Sequence, residues 1–230
     1  MSEIFEPTLE PGEVEATLPG KFAMGFFLFA GVLLLTLPCN AQTDDWKTEK
    51  TDDGKVTVIS KVSEWTNKNG DTYPLIEYTV VSTDILNYKS CISVMRNVAK
   101  HDKFLDVKTC EKTKTFSDNE WLNYYIFKAP WPFPSTDCVV KVNFSEDTKM
   151  RKAVFTMTAA PNMMKITDLK RFELYNFTYT FKELAANKIE VTITSKMALT
   201  TKAPLFMLRA SFPSSAAEPL QKLIKLIKDN

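Results

Sequence analysis

The chain has 230 residues, 44% hydrophobic and 25% charged, which is enough for one domain with a sizeable core and short of two. A net charge of +1 argues against nucleic acid as a partner, and a single histidine, His101, excludes a multi-histidine metal site or a histidine pair for acid–base work. Six glycines, with no P-loop and no Gly-x-Gly-x-x-Gly, disfavour a glycine-rich phosphate cradle.

Residues 1–20 are acidic and carry Pro7, Pro11 and Pro19. Phe22 to Leu37 then runs uncharged for sixteen residues. That is short of the ~20 residues of a membrane span and fits a signal-peptide apolar region, with cleavage after Ala41. The acidic start is unlike a basic signal-peptide n-region, so either initiation is near Met24 or the first twenty residues are a disordered leader. Lipidation at Cys39 is the rival reading, although Pro38 stands where a small residue is expected. The expectation is a leader and signal peptide over 1–41, hence an exported, periplasmic or secreted protein; the alternative is a retained N-terminal membrane anchor. Residues 42–230 hold 28 basic and 23 acidic side chains, a modest excess suited to transient contact with an anionic membrane surface. Cys91, Cys110 and Cys138 are an odd set, which reads as buried thiols rather than a disulfide framework.

Val56 to Val62 alternates and reads as a strand, the cluster Asn67–Asp71 as a turn, and Leu75 to Val81 as the returning strand of a hairpin. Ser82 or Thr83 is placed to cap a helix from Asp84, with Ile85, Tyr88, Ile92, Met95 and Ala99 on its apolar face. Strands follow over 105–116, 121–128, 138–144, 152–158, 172–181 and 189–199. The end is helical: Phe212, Ala216, Leu220, Leu223, Ile224 and Ile227 form a stripe opposite Lys222, Lys225 and Lys228. Pro219 falls inside it, so the helix either begins near Ala217 or is kinked. Consecutive hairpin-linked strands imply an antiparallel sheet and an α+β fold.

Pro130, Pro132 and Pro134 interrupt this strand series. None carries a backbone donor, so residues 129–137 form a rigid corner holding Trp131 and Phe133 between two strands. The corner resembles the Pro-Trp-Pro-x-x-x-x-Asp-x-Val signature of START (StAR-related lipid-transfer) domains, and the element order from Trp46 to Asn230 resembles theirs. Trp46 with the turn at Gly54 resembles the family's opening, and Phe206 to Pro213 with the Leu220 helix its close. The resemblance implies a helix-grip fold: a curved antiparallel β-sheet wrapped round a long C-terminal α-helix, enclosing a hydrophobic cavity for one ligand. The chain departs from the family at Thr136, where Arg is usual, and over 200–204, where a Gly-rich loop is common. The buried acid–Arg pair of some sterol-binding members would fall at Asn123 and Val142, so sterol specificity does not carry over.

Period-two alternation puts Val140 and Val142 on one face of their strand, Ser195 and Met197 on one face of another, and Tyr175 and Tyr179 in an aromatic row with Phe177 and Phe181. By periodicity alone these faces are core. With the resemblance, the middle of the sheet faces a cavity lined by Asn123, Tyr125, Val140, Val142, Tyr175, Tyr179, Ser195 and Met197, with Phe212 and Leu220 on the helix that closes it. The expected activity is non-covalent binding and transfer of a lipid by a monomer, with no cofactor, no metal, no catalytic residue and no nucleic acid. The alternatives are a helix-grip enzyme acting on a hydrophobic substrate, with His101, Cys91, Glu77, Glu111 or Glu173 as possible participants, and a non-transporting envelope interaction protein.

Overall fold

The computed structural model describes residues 46–128 and 134–230; the apolar run 22–37, the cleavage position Ala41 and the corner residues 129–133 lie outside the described residues. In chain order the elements are β1 (Lys47–Lys50), β2 (Val56–Thr66), β3 (Thr72–Ile85), α1 (Tyr88–Arg96), a 3-10 segment (Val98–Lys103), β4 (Val107–Ser117), β5 (Glu120–Phe127), β6 (Thr136–Asp147) and β7 (Lys152–Ala159). After a 3-10 turn (Pro161–Met163) come β8 (Lys170–Arg171), β9 (Tyr175–Ala185), β10 (Lys188–Ala198), α2 (Leu205–Ala210) and α3 (Ser214–Lys228).

The strands form one curved sheet in the order β1-β2-β3-β10-β9-β7-β6-β5-β4, antiparallel throughout, with the short β8 parallel beside β6. Its hairpins follow from turn chemistry. Between β2 and β3 the Asn67 side chain accepts from the backbone of Asn69 and Asp71, both at 2.9 Å, and Gly70 supplies φ +86°. Alternation then sorts each strand into two faces. Val56 and Val58, Val80, Val191 and Ile193, Phe155 and Phe181 all turn to the concave side and are buried. α3 lies on that side with Ala216, Leu220, Leu223 and Ile227 inward. The convex side carries pairs such as Lys196–Glu77 at 2.9 Å.

Three points of the sequence reading are corrected. β3 runs on to Ile85 because its residues from Leu75 onward pair with β10, as far as Ile85 opposite Lys188; the helix therefore starts at Tyr88. Its cap is Asn87, whose side chain accepts from Ser90 N at 3.1 Å, and its buried face is Tyr88, Cys91, Val94 and Met95, with Ile85 and Ala99 exposed. The strand expected from Phe172 begins at Tyr175, and Glu173 lies off the sheet ladders. Of the two readings of Pro219, the second holds in that α3 begins at Ser214 and carries the proline within it. The strand β1, absent from the sequence reading, pairs on the outer edge of β2.

Candidate functional site

The eight sheet residues expected at the site all fall on the concave face. The register sets Trp121 opposite Val142, Asn123 opposite Val140, and Tyr125 opposite Cys138. It sets Ser195 between Tyr78 and Phe177, and Met197 between Ile76 and Tyr175. What separates these residues is the helical cover. α1 and the 3-10 segment fill the end of the face over β5 and β6. Arg96 places its guanidinium 4.2 Å from the Phe144 ring centroid and 5.6 Å from that of Trp121, and donates to the Asp118 carbonyl.

Beneath this cover lies a buried polar chain. His101 is fully buried, with Nε2 3.0 Å from the Met95 carbonyl and Nδ1 2.8 Å from the Tyr125 hydroxyl. A carbonyl only accepts, so Nε2 carries the proton, Nδ1 accepts from Tyr125, and the Tyr125 oxygen accepts from Asn123 Nδ2 at 2.8 Å. Burial lowers the His101 pKa to about 4, outweighing the Met95 bond and Asp102, which favour the charged form. Asp102 itself bonds Lys103, and both ring nitrogens are taken, neither by Cys91. Burial also pushes the Cys91 thiol up to about 12 and the Cys138 thiol well up.

Toward the other end α1 and the 3-10 segment no longer cover the face, and there a cavity of about 390 Å³ opens under α2 and α3. The sheet supplies Tyr78 from β3, Tyr175, Phe177 and Tyr179 from β9, and Ile193 and Met197 from β10. α2 contributes Leu208, and α3 contributes Ser215 and Pro219. Phe127 at the end of β5 and Thr136 at the start of β6, with the loop residues Leu105, Phe172 and 199–201, complete the wall. Asp106 and Lys128 pair at 3.7 Å on the exposed rim.

Of the ten expected residues, Tyr175, Tyr179 and Met197 line this space. Tyr125 and, through it, Asn123 are bound to His101 of the 3-10 segment, and Val140 and Val142 are fully buried and do not line the cavity. Ser195 is buried between Tyr78 and Phe177, whose rings meet edge to face at 6.1 Å. Phe212 leans on Tyr78 at 6.0 Å, and Leu220 is sealed in the core one residue beyond the lining Pro219. Glu77 and Glu111 point from the convex face, so neither enters the cavity. The lining residues not foreseen include Tyr78, Ile193, Phe127, Phe172 and Leu208. Ile193 shares the parity of Ser195 and Met197, Phe127 shares that of Asn123 and Tyr125, and Tyr78 falls on a recognised strand, so alternation marks all three; Phe172 and Leu208 carry no such mark.

One buried ion pair fixes the loop beside the cavity. Asp137 accepts from Arg171 Nε at 2.9 Å and Nη2 at 2.7 Å, from Thr167 Oγ1 at 2.8 Å and from the Tyr124 hydroxyl at 3.2 Å. Arg171 also donates to the carbonyls of Pro161, Met164 and Lys165. Burial alone would raise the Asp137 pKa, yet these donors and the Arg171 charge hold it below the usual carboxylate range. The Asp of the corner signature is thus the anchor of the 161–171 loop.

Solved structures share this architecture. A STAR-related lipid transfer protein from Xanthomonas axonopodis superposes with a TM-score of 0.66 at 19% identity, covering 80% of this chain and 99% of that one. The human StarD13 lipid transfer and protein localization domain gives 0.62 at 14% identity over 80% and 90% of the two chains. Human StAR-related lipid transfer protein 5 gives 0.61 at 14% over 82% and 89%. No family model and no curated protein matches the sequence. The chain has the helix-grip fold of START-like domains.

Proposed function

We propose that the protein binds one hydrophobic ligand non-covalently in this cavity and carries it between membranes as a monomer. The observation that carries the reading is the apolar, aromatic-walled cavity between the concave sheet and α2–α3 in a START-like fold. Burial of the ligand supplies the driving force, at ~0.8 kcal/mol per CH₂.

α3 is the proposed gate. Its C-terminal end is tied down by Lys228 to Asp84 at 2.7 Å and by Asn230 to Lys100. Its first half borders the cavity and is interrupted at Pro219, which cannot donate to the preceding turn. Next to the lining residue Leu208, Phe206 and Met207 stand exposed at 64% and 55%, with Lys202 nearby in sequence; this is the proposed point of membrane contact. Export directed by residues 22–37 belongs to the same proposal, and N-terminal sequencing of the mature protein tests it.

Native mass spectrometry of the protein from its own host, followed by solvent extraction, tests the binding. A stoichiometric hydrophobic adduct is expected. A bare mass that stays unchanged after incubation with mixed lipid vesicles and hydrophobic small molecules overturns the reading.

A further inference from the structure

The size and lining of the cavity narrow what it holds. At ~20–30 Å³ per non-hydrogen atom of condensed matter, 390 Å³ accommodates on the order of 13–20 such atoms. The two chains of a diacyl lipid alone bring roughly 30 carbons.

The wall is a run of aromatic faces. Phe127 and Phe172 lie 5.6 Å apart, Phe172 and Tyr175 5.6 Å, and Tyr175 stacks on Phe177 at 4.3 Å with 27° between planes. Flat rings gain offset and edge-on contacts on such a surface, and a rigid ring system loses no chain rotors on entry. Within the described lining the only charged side chains are Asp106 and Lys128, paired with each other on the rim. A ligand charge inside would therefore be buried without a partner. Tyr175 and Tyr179 hydroxyls have no hydrogen-bond partner among the described residues. Burial, with neighbouring tyrosines adding to it, keeps both phenols protonated, so each presents an unused donor.

We propose that the ligand is a compact, uncharged ring compound bearing a carbonyl or hydroxyl oxygen, seated on the Tyr175–Phe177 stack beside the edge-on Phe172, with that oxygen on the hydroxyl of Tyr175 or of Tyr179. The inference rests on the hydrophobic-ligand reading and selects among its ligands.

The test uses the full chain with four probes: flavone, anthracene, hexadecanoic acid, and vesicles of dioleoylphosphatidylcholine. Binding is read by calorimetry and native mass spectrometry. Flavone is expected to bind one per chain and to outcompete hexadecanoic acid, and the phospholipid is expected to stay in its vesicles. Of Tyr175→Phe and Tyr179→Phe, one should weaken flavone about fivefold, as loss of one neutral hydrogen bond does, and both should leave anthracene unchanged. Anthracene binding also shows that the variants are folded. Stoichiometric extraction of the phospholipid with no flavone bound overturns the ring-compound assignment while leaving hydrophobic binding intact. Equal weakening of flavone and anthracene, or none of either, overturns the role of the two hydroxyls. Failure of every probe counts against both proposals.

Discussion

Lowering the pH from 7.5 to 5 should cost the protein ~2 kcal/mol of stability through one side chain. His101 is the only histidine, so no other side chain has an ordinary pKa in that window. In the unfolded chain it titrates near 6.5; in the folded protein burial lowers this to about 4. Between those values the unfolded state binds a proton that the native state refuses, so stability is full above pH 6.5 and drains away as pH falls. The slope approaches about 1.4 kcal/mol per pH unit below pH 6 and the loss reaches ~3 kcal/mol near pH 4. The geometry gives the same sign, because protonating Nδ1 removes the acceptor of the buried Tyr125 hydroxyl proton. Lys112 opposes the charge and Asp102 favours it, and both effects are smaller than desolvation. Urea unfolding at half-unit pH steps measures the slope, and the lone imidazole proton signal reports the titration directly by NMR. His101→Gln should be less stable at pH 7.5 and flat across the window. A wild-type urea midpoint that does not move between pH 7.5 and 5, or an imidazole titrating near 6.5 in the folded protein, would refute the reasoning.

Replacing one partner of the ion pair, as in Asp137→Asn, should cost ~3–5 kcal/mol in urea unfolding, because Arg171 is left buried without its counter-charge. A loss under 1 kcal/mol would show the pair to be dispensable. Leu220→Ala removes a fully buried anchor of α3 and should cost ~2–5 kcal/mol by the same assay. Pro219→Ala restores a backbone donor within α3, so thermal unfolding should move upward and ligand release, followed by vesicle transfer, should slow. An unchanged release rate would separate this proline from gating. Gly70→Ala places a side chain at φ +86° and should cost ~1 kcal/mol, read as a lower melting temperature.

What could be read in the sequence was what is written locally. Alternation in β6, β9 and β10 placed Val140, Val142, Tyr175, Tyr179, Ser195 and Met197 on one face, and the register agrees. The stripe of α3 put Leu220, Leu223 and Ile227 inward. Long-range decisions were not written there. The start of α1 was set by β10 pairing with β3 from a hundred residues away, which overrode a plausible cap at Ser82 or Thr83. Asp137 and Arg171 are 34 residues apart, and nothing in either neighbourhood announces the other. Which part of the concave face stays open depends on where α1 and the 3-10 segment settle. Alternation could therefore name the face without telling Tyr179, which meets the cavity, from Tyr125, which meets His101.

β10 occupies the middle of the sheet, bonded to β3 on one side and β9 on the other, although it is the last strand along the described chain. During synthesis, β3 therefore waits with an open edge until residues 188–198 have emerged. Two half-sheets, β1-β2-β3 and β9-β7-β6-β5-β4, can each zip by hairpins but join only through that final strand. α3, which covers the concave face, comes later still. A nascent chain cut short before residue 188 is consequently left with two unmatched edges, the state most prone to pairing with a neighbour. Synthesis of β10 and closure of the sheet are thus one event.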